Sequence, residues 1–117
     1  MSIAALLERD TAACVWCGRE PWARDLTAEH LLPRSRRGRG LQENLAVACR
    51  GCNRRRRSRQ VAAYARAQLD AGHRPRFDLL DAALGRLSGS ASRDHAAYGQ
   101  RQRELLARVR SLAPALT

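Results

Sequence analysis

The sequence predicts an α+β domain, a two-stranded hairpin and a helix stapled by cysteines, with further helices on either side. Three observations lead there. Two C-x2-C pairs, Cys14–Cys17 and Cys49–Cys52, stand 31 residues apart. Between them lie two short apolar runs separated by a Gly- and Arg-rich stretch. Beyond residue 51 the apolar residues recur at helical spacing.

Each element has a local reason. Residues 2–10 suit a short helix, with Ser2 as N-cap and Ile3, Leu6 and Leu7 on one face. Residues 14–25 read as a knuckle and loop. Thr27 to Leu32 has strand length, and Pro33 stops it. Residues 33–43 form the loop, and Leu45 to Ala48 the second strand of an antiparallel hairpin. From about Gly51 one continuous helix is expected to run to about Ala71, where Gly72 ends it. Phe77 to Leu87 carries Leu79, Leu80, Ala83, Leu84 and Leu87 at helical spacing. A last helix, capped by Ser92 or Asp94, reaches Leu112, with Tyr98, Leu105, Leu106, Val109 and Leu112 as its apolar set. The expected division is residues 1–75 as the main domain, with its motif core at 14–59, and 76–117 as a helical extension.

The chain of 117 residues carries 22 basic residues, all arginine, against 11 acidic ones, a formal charge of +11. A G+C-rich genome accounts for arginine over lysine. The net charge itself is the footprint expected of a protein that binds nucleic acid. The apolar run at the N-terminus is broken by Glu8, Arg9 and Asp10, so neither an export signal nor a membrane span is expected. A cytoplasmic location follows, and there paired cysteines are expected to hold metal rather than disulfides.

Four thiolates in a tetrahedron suit zinc, and each C-x2-C turn brings two sulfurs to one side of the ion. The sequence supplies a need for it. With one Phe and one Met in the whole chain, the segment 14–59 lacks a self-sufficient core, and structural zinc can contribute ~10 kcal/mol of folding energy. Cys14, Cys17, Cys49 and Cys52 are therefore the expected structural Zn²⁺ ligands, with unliganded thiols or a redox pair as the other readings.

Inside this bracket stand Glu29-His30, Asn44 and Asn53. C-x2-C-Gly, then Glu29-His30-x2-Pro33-Arg34-Ser35-Arg36, Asn44-Leu45, and C-x2-C-Asn53-x2-Arg56-x2-Arg59 together resemble the HNH endonuclease family in its zinc-stapled form. The resemblance implies a ββα-metal (His-Me finger) core with a four-cysteine zinc knuckle. It also implies a metal-dependent endonuclease acting on DNA, leaving 5′-phosphate and 3′-hydroxyl ends. It makes His30 the general base, Glu29 and Asn53 the protein ligands of one Mg²⁺ or Mn²⁺, and Asn44 the residue that ties down the loop. The residues also admit plainer readings: a structural histidine at 30, a helix cap at 53. In regular strand geometry, moreover, Glu29 points away from His30. His73 and His95 fall outside the pattern and read as surface residues. Trp16 and Trp22 read as packing over the knuckle, with base stacking as the alternative.

Arg34, Arg36, Arg37 and Arg39 line the loop, and Arg54, Arg55, Arg56, Arg57 and Arg59 crowd the first turns of the helix. Guanidinium groups match phosphate geometry, so Arg34, Arg36, Arg37, Arg54, Arg56, Arg57 and Arg59 are the expected phosphate contacts. Two other functions remain open on the sequence. One is a non-catalytic zinc-dependent DNA-binding protein on a degenerate HNH scaffold. The other is a nuclease subunit of a larger phage, defence or mobile-element machine, with the helices after residue 76 as its docking surface.

Overall fold

Strands β1 (Leu26–His30) and β2 (Leu45–Cys49) pair antiparallel in the register Leu26↔Cys49, Ala28↔Val47 and His30↔Leu45. The computed structural model describes residues 1–115. Every residue of β2 is buried, because both faces of the hairpin are covered. Leu45 and Val47 pack with Leu26 against Leu6 of helix α1 (Ile3–Arg9). Ala46 and Ala48 face the larger core with Trp16 and Leu31. This explains why the second strand reads as a continuous apolar run with no alternation. The loop between the strands closes on Gly38, where a Cβ would lie 1.6 Å from the Leu32 carbonyl oxygen, so no other residue fits.

Helix α2 (Arg50–Arg56) starts directly from β2, with Cys49 as its N-cap. The single helix expected from 51 to 71 is two. Arg57 adopts φ 58° and ψ −132°, and the chain turns before α3 (Val61–Asp70) begins. The break lets α3 dock separately. The Val61 N–H donates to the Tyr98 hydroxyl at 3.2 Å and the Ala62 N–H to Gln102 Oε1 at 2.9 Å. These side chains satisfy the open amides of its first turn, a service that distant residues supply and local pattern does not reveal.

Helices α4 (Phe77–Ser88) and α5 (Arg93–Ser111) form a tight pair. At Gly99 a Cβ would come within 2.7 Å of the Ser88 backbone nitrogen, so the glycine sets their approach. Leu80, Ala83, Leu84, Leu87, Leu106 and Val109 join one core with Trp16, Cys49 and Tyr64. The helices after residue 76 thus share their interior with the cysteine-bracketed motif. Leu112, expected on the apolar face of α5, is exposed. The buried positions of α5 are His95, Gly99, Gln102, Leu106 and Val109.

The Arg57 backbone is strained, since a side chain beyond glycine rarely adopts a positive φ there, at a cost on the order of 1–3 kcal/mol. Arg57→Gly is expected to raise stability by about 1 kcal/mol, read as a higher midpoint in thermal or urea unfolding; an unchanged or lower midpoint would contradict the assigned strain.

Candidate active site and metal centre

The four cysteine sulfurs come from three places: the loop after α1 (Cys14, Cys17), the end of β2 (Cys49) and the first turn of α2 (Cys52). All four lie within 4.8 Å of one another. A zinc–thiolate tetrahedron with Zn–S near ~2.3 Å has edges of ~3.8 Å, so the set needs little adjustment to close on an ion. The Trp16 amide donates to Cys14 Sγ and the Cys52 amide to Cys49 Sγ, both at 3.4 Å. The first of these bonds favours the Cys14 thiolate. A hydrogen bond from Cys52, with backbone amides, holds the Cys14 thiol down to about 4. Cys52 is pushed upward by that shared proton and by burial. Thiols this close cannot all ionise without a cation between them, and zinc fits that requirement.

Glu29 and Arg56 depart from what the sequence predicts. Alternation along β1 sends Glu29 toward α2, where it is only 1% exposed. One carboxylate oxygen accepts from the Trp16 indole N–H and the other from Arg56 Nη1, the latter at 2.9 Å. Burial pushes the Glu29 carboxyl upward, against the pull of Arg56 and the indole. Arg56, also 1% exposed, donates further to the carbonyls of His30 (2.7 Å), Leu31 (2.6 Å) and Arg59 (2.9 Å). It is therefore a structural cation and does not reach substrate phosphate, contrary to the sequence reading. The cause is helical spacing: Arg56 stands four residues after Cys52, on the face of α2 that points inward. Glu29 as paired offers no free oxygen to a divalent ion. Asn53 is half-buried in a shallow cleft with Thr27, Arg50 and Arg54. With its carboxylate engaged by Arg56 and Trp16, Glu29 is not presented as a free ligand beside Asn53, so the residues as placed do not fit the expected metal pair.

His30 lies at the end of β1, half-buried, with Arg34 Nε 3.4 Å from its Nε2 and Gly40 packed alongside. Burial, then the cations of Arg34 and Arg56, lower its pKa from the ordinary imidazole value. At neutral pH it is an uncharged base. The loop beside it is pinned by the fully buried Asn44. Its Oδ1 accepts from the Leu32 N–H at 2.8 Å, and its Nδ2 donates to the Leu32 and Arg39 carbonyls at 3.2 and 2.8 Å.

Helix α5 pins the same segment from outside. His95, expected at the surface, is 2% exposed, and its Nε2 accepts the Arg39 N–H at 3.0 Å. That bond assigns the proton to Nδ1, 2.9 Å from Ser92 Oγ. The Tyr98 hydroxyl donates to the Leu31 carbonyl at 3.0 Å. Positions 95, 99, 102, 106 and 109 follow a 4-3-4-3 spacing, a signal present in the sequence but hidden because His and Gln stand where apolar residues are sought. Of the two tryptophans, Trp16 packs edge-on against Tyr64 at 4.9 Å, whereas Trp22 is 76% exposed and covers nothing in the knuckle.

The other arginines of the sequence reading stay outside. Arg34, Arg36, Arg37, Arg54, Arg57 and Arg59 are exposed. Arg36 Nε donates to the Ser58 carbonyl at 2.8 Å, joining the loop to the turn after α2. Arg59 lies over the Tyr64 ring at 4.5 Å. Among the described residues no helix is long and apolar enough to cross a membrane.

Breaking a buried ion pair from one side leaves the other charge stranded, at a cost of about 3–5 kcal/mol. Glu29→Ala is therefore expected to lose that much stability in chemical denaturation. A residue serving only as an exposed metal ligand would leave the midpoint unmoved. Cys52→Ser is expected to abolish stoichiometric zinc in metal analysis and to lose the cooperative unfolding transition. A folded, zinc-free variant would show that the cluster is not a structural metal centre.

Residues 14–69 match the family model described as HNH endonuclease. Among solved structures, the chain is similar to the crystal structure of the Type II-C Cas9 enzyme from Actinomyces naeslundii. The identity is 23% and the TM-score 0.50, over 92% of this chain and 11% of that one. The chain thus spans about a tenth of that structure's length, and the likeness is one of fold. No curated protein matches. With the cysteine cluster, the hairpin and the helix in place, residues 14–69 carry the features of the HNH endonuclease model they match.

Proposed function

We propose that the protein is an endonuclease that hydrolyses phosphodiester bonds in DNA, with His30 as general base. The observation that carries this is His30 itself, an imidazole kept neutral, partly open to solvent and flanked by Arg34, on a loop tied down by Asn44. A neutral imidazole can take the proton of a water molecule as the water oxygen bonds to phosphorus. The bond from phosphorus to the 3′ oxygen then breaks, and that oxygen leaves with a proton from solvent, giving 5′-phosphate and 3′-hydroxyl ends. Arg34, with Arg36 and Arg37 on the same loop, is suited to hold the non-bridging phosphate oxygens. Asn44 acts through geometry, by fixing the backbone around the base.

A bound Mg²⁺ or Mn²⁺ would neutralise charge on the phosphoryl group. Of the two expected ligands only the Asn53 amide is open, because Glu29 is held by Arg56 and Trp16. That pairing favours a second reading, a zinc-stapled DNA-binding protein that keeps the scaffold without the chemistry.

One experiment separates the two. Purified protein incubated with supercoiled plasmid and Mg²⁺ or Mn²⁺ is expected to nick it, and His30→Ala to abolish nicking with zinc content and gel shift preserved. Nicking that survives in His30→Ala overturns the assigned base. A gel shift with no nicking in any metal establishes the binding protein. The pH profile adds a check with a definite sign. Protonated His30 cannot accept a proton, so the rate is expected to fall about tenfold per pH unit on the acid side. The midpoint is expected below the ordinary imidazole value of about 6.5.

A further inference from the structure

On the zinc-knuckle side of α2 a groove of about 1270 Å³ runs past the turn after α2 toward α3, with Trp16 and Tyr64 among its walls. Its lining includes six arginines, Arg19, Arg54, Arg55, Arg57, Arg59 and Arg74, and no Asp or Glu. Two of the six face the cysteine cluster. Arg55 Nη2 lies 3.4 Å from Cys52 Sγ, and Arg19 faces Cys17. A zinc ion with four thiolates carries a net charge of about −2, and these two cations offset it. The charge of the other four is not offset, although Arg74 Nη1 donates to the Pro114 carbonyl at 2.6 Å. None of Arg54, Arg57, Arg59 and Arg74 has a carboxylate partner among the described residues.

Three further observations give the surplus a direction. Arg54 lines both this groove and the cleft that holds Asn53 and Thr27, so the two adjoin at that residue. Arg59 is held in place by the Arg55 and Arg56 carbonyls at 2.8 and 3.3 Å and by the Tyr64 ring, so its position does not depend on a ligand to order it. Arg57 stands at φ 58°, a backbone conformation where glycine would be less strained, yet its side chain lines the groove. Strain retained at a charged, exposed residue points to function.

We propose that this groove is a sequence-independent track for the phosphodiester backbone of nucleic acid, continuing from the Asn53 cleft past Arg54 to Arg57, Arg59 and Arg74. It rests on the reading that the substrate is nucleic acid and adds a second contact surface, separate from the loop beside His30. The chemistry is guanidinium groups without carboxylate partners meeting successive phosphates, with the aromatic walls left for a ribose or base face.

The test is binding without turnover. Labelled duplex and single-stranded oligonucleotides of random sequence are titrated with the full chain in the absence of Mg²⁺ and Mn²⁺, over a range of salt, with anisotropy as readout. Each phosphate contact removed is expected to lower the log K against log salt slope by about 0.9 for duplex or about 0.7 for a single strand, an affinity loss of roughly five- to eightfold at ~0.1 M salt. Arg54→Gln combined with Arg57→Gly and Arg74→Gln is expected to lower the slope by about 2–3, and the size of the drop tells which form lies in the track. Arg57→Gly alone supplies the sharper criterion, because it is expected to melt higher and bind more weakly, which a merely structural arginine would not do. If the wild-type protein shows salt-sensitive binding and the triple variant matches it in affinity and slope, the groove proposal is overturned and the nuclease reading stands. If the wild-type protein binds no nucleic acid, both fall together.

Discussion

The guanidinium of Arg56 is the point at which the separate pieces of this small domain meet. It pairs with Glu29 on β1, caps the carbonyls of His30 and Leu31 where the strand gives way to the loop, and holds the Arg59 carbonyl in the turn after α2. It also lies over the Trp16 ring at 5.7 Å and within 3.5 Å of the Tyr98 hydroxyl. A charge in the interior is tolerated only when its hydrogen-bonding capacity is met. That requirement fixes strand, helix and turn relative to one another. It also fixes the Glu29 carboxylate, and so decides how the neighbouring His30 is presented.

Around this hub the domain answers a shortage of apolar bulk with directional contacts. Four thiols placed to hold a metal ion bring the knuckle together with β2 and α2. Asn44 closes the loop from within, and the polar stripe of α5 closes it from without through His95 and Tyr98, while Gln102 holds the first turn of α3. The Arg39 peptide is gripped on both sides, its N–H by His95 and its carbonyl by Asn44. Helices that the sequence offers only as an extension therefore complete the frame in which His30 sits.

The exposed arginines serve a different end. The buried Arg56 is committed to Glu29, and the exposed Arg19 and Arg55 face the cysteine cluster, while the loop and the α2–α3 turn keep theirs in solvent without carboxylate partners. Their mutual repulsion is a standing electrostatic cost, relieved when a polyanion is bound. The surface and the core thus use one residue type for opposite purposes, and burial alone separates the two.

Local rules made the hairpin, the knuckle and the flanking helices legible, because C-x2-C spacing, apolar runs and caps act over a few residues. The likeness of residues 14–69 to the HNH endonuclease model was legible for the same reason, in the order of Cys, Glu-His, Asn and Cys-x2-Cys-Asn. What sequence did not disclose were choices among partners distant in the chain. Arg56 among five similar arginines turns inward because Glu29 waits there, 27 positions away. His95 is buried because the Arg39 amide needs an acceptor, 56 positions away. The helix breaks at Arg57 because α3 finds its first-turn acceptors on α5. A pattern of residue types names which groups can meet. Only the packed chain decides which do, since each such contact depends on satisfying a buried charge or amide with a group that the local sequence does not contain.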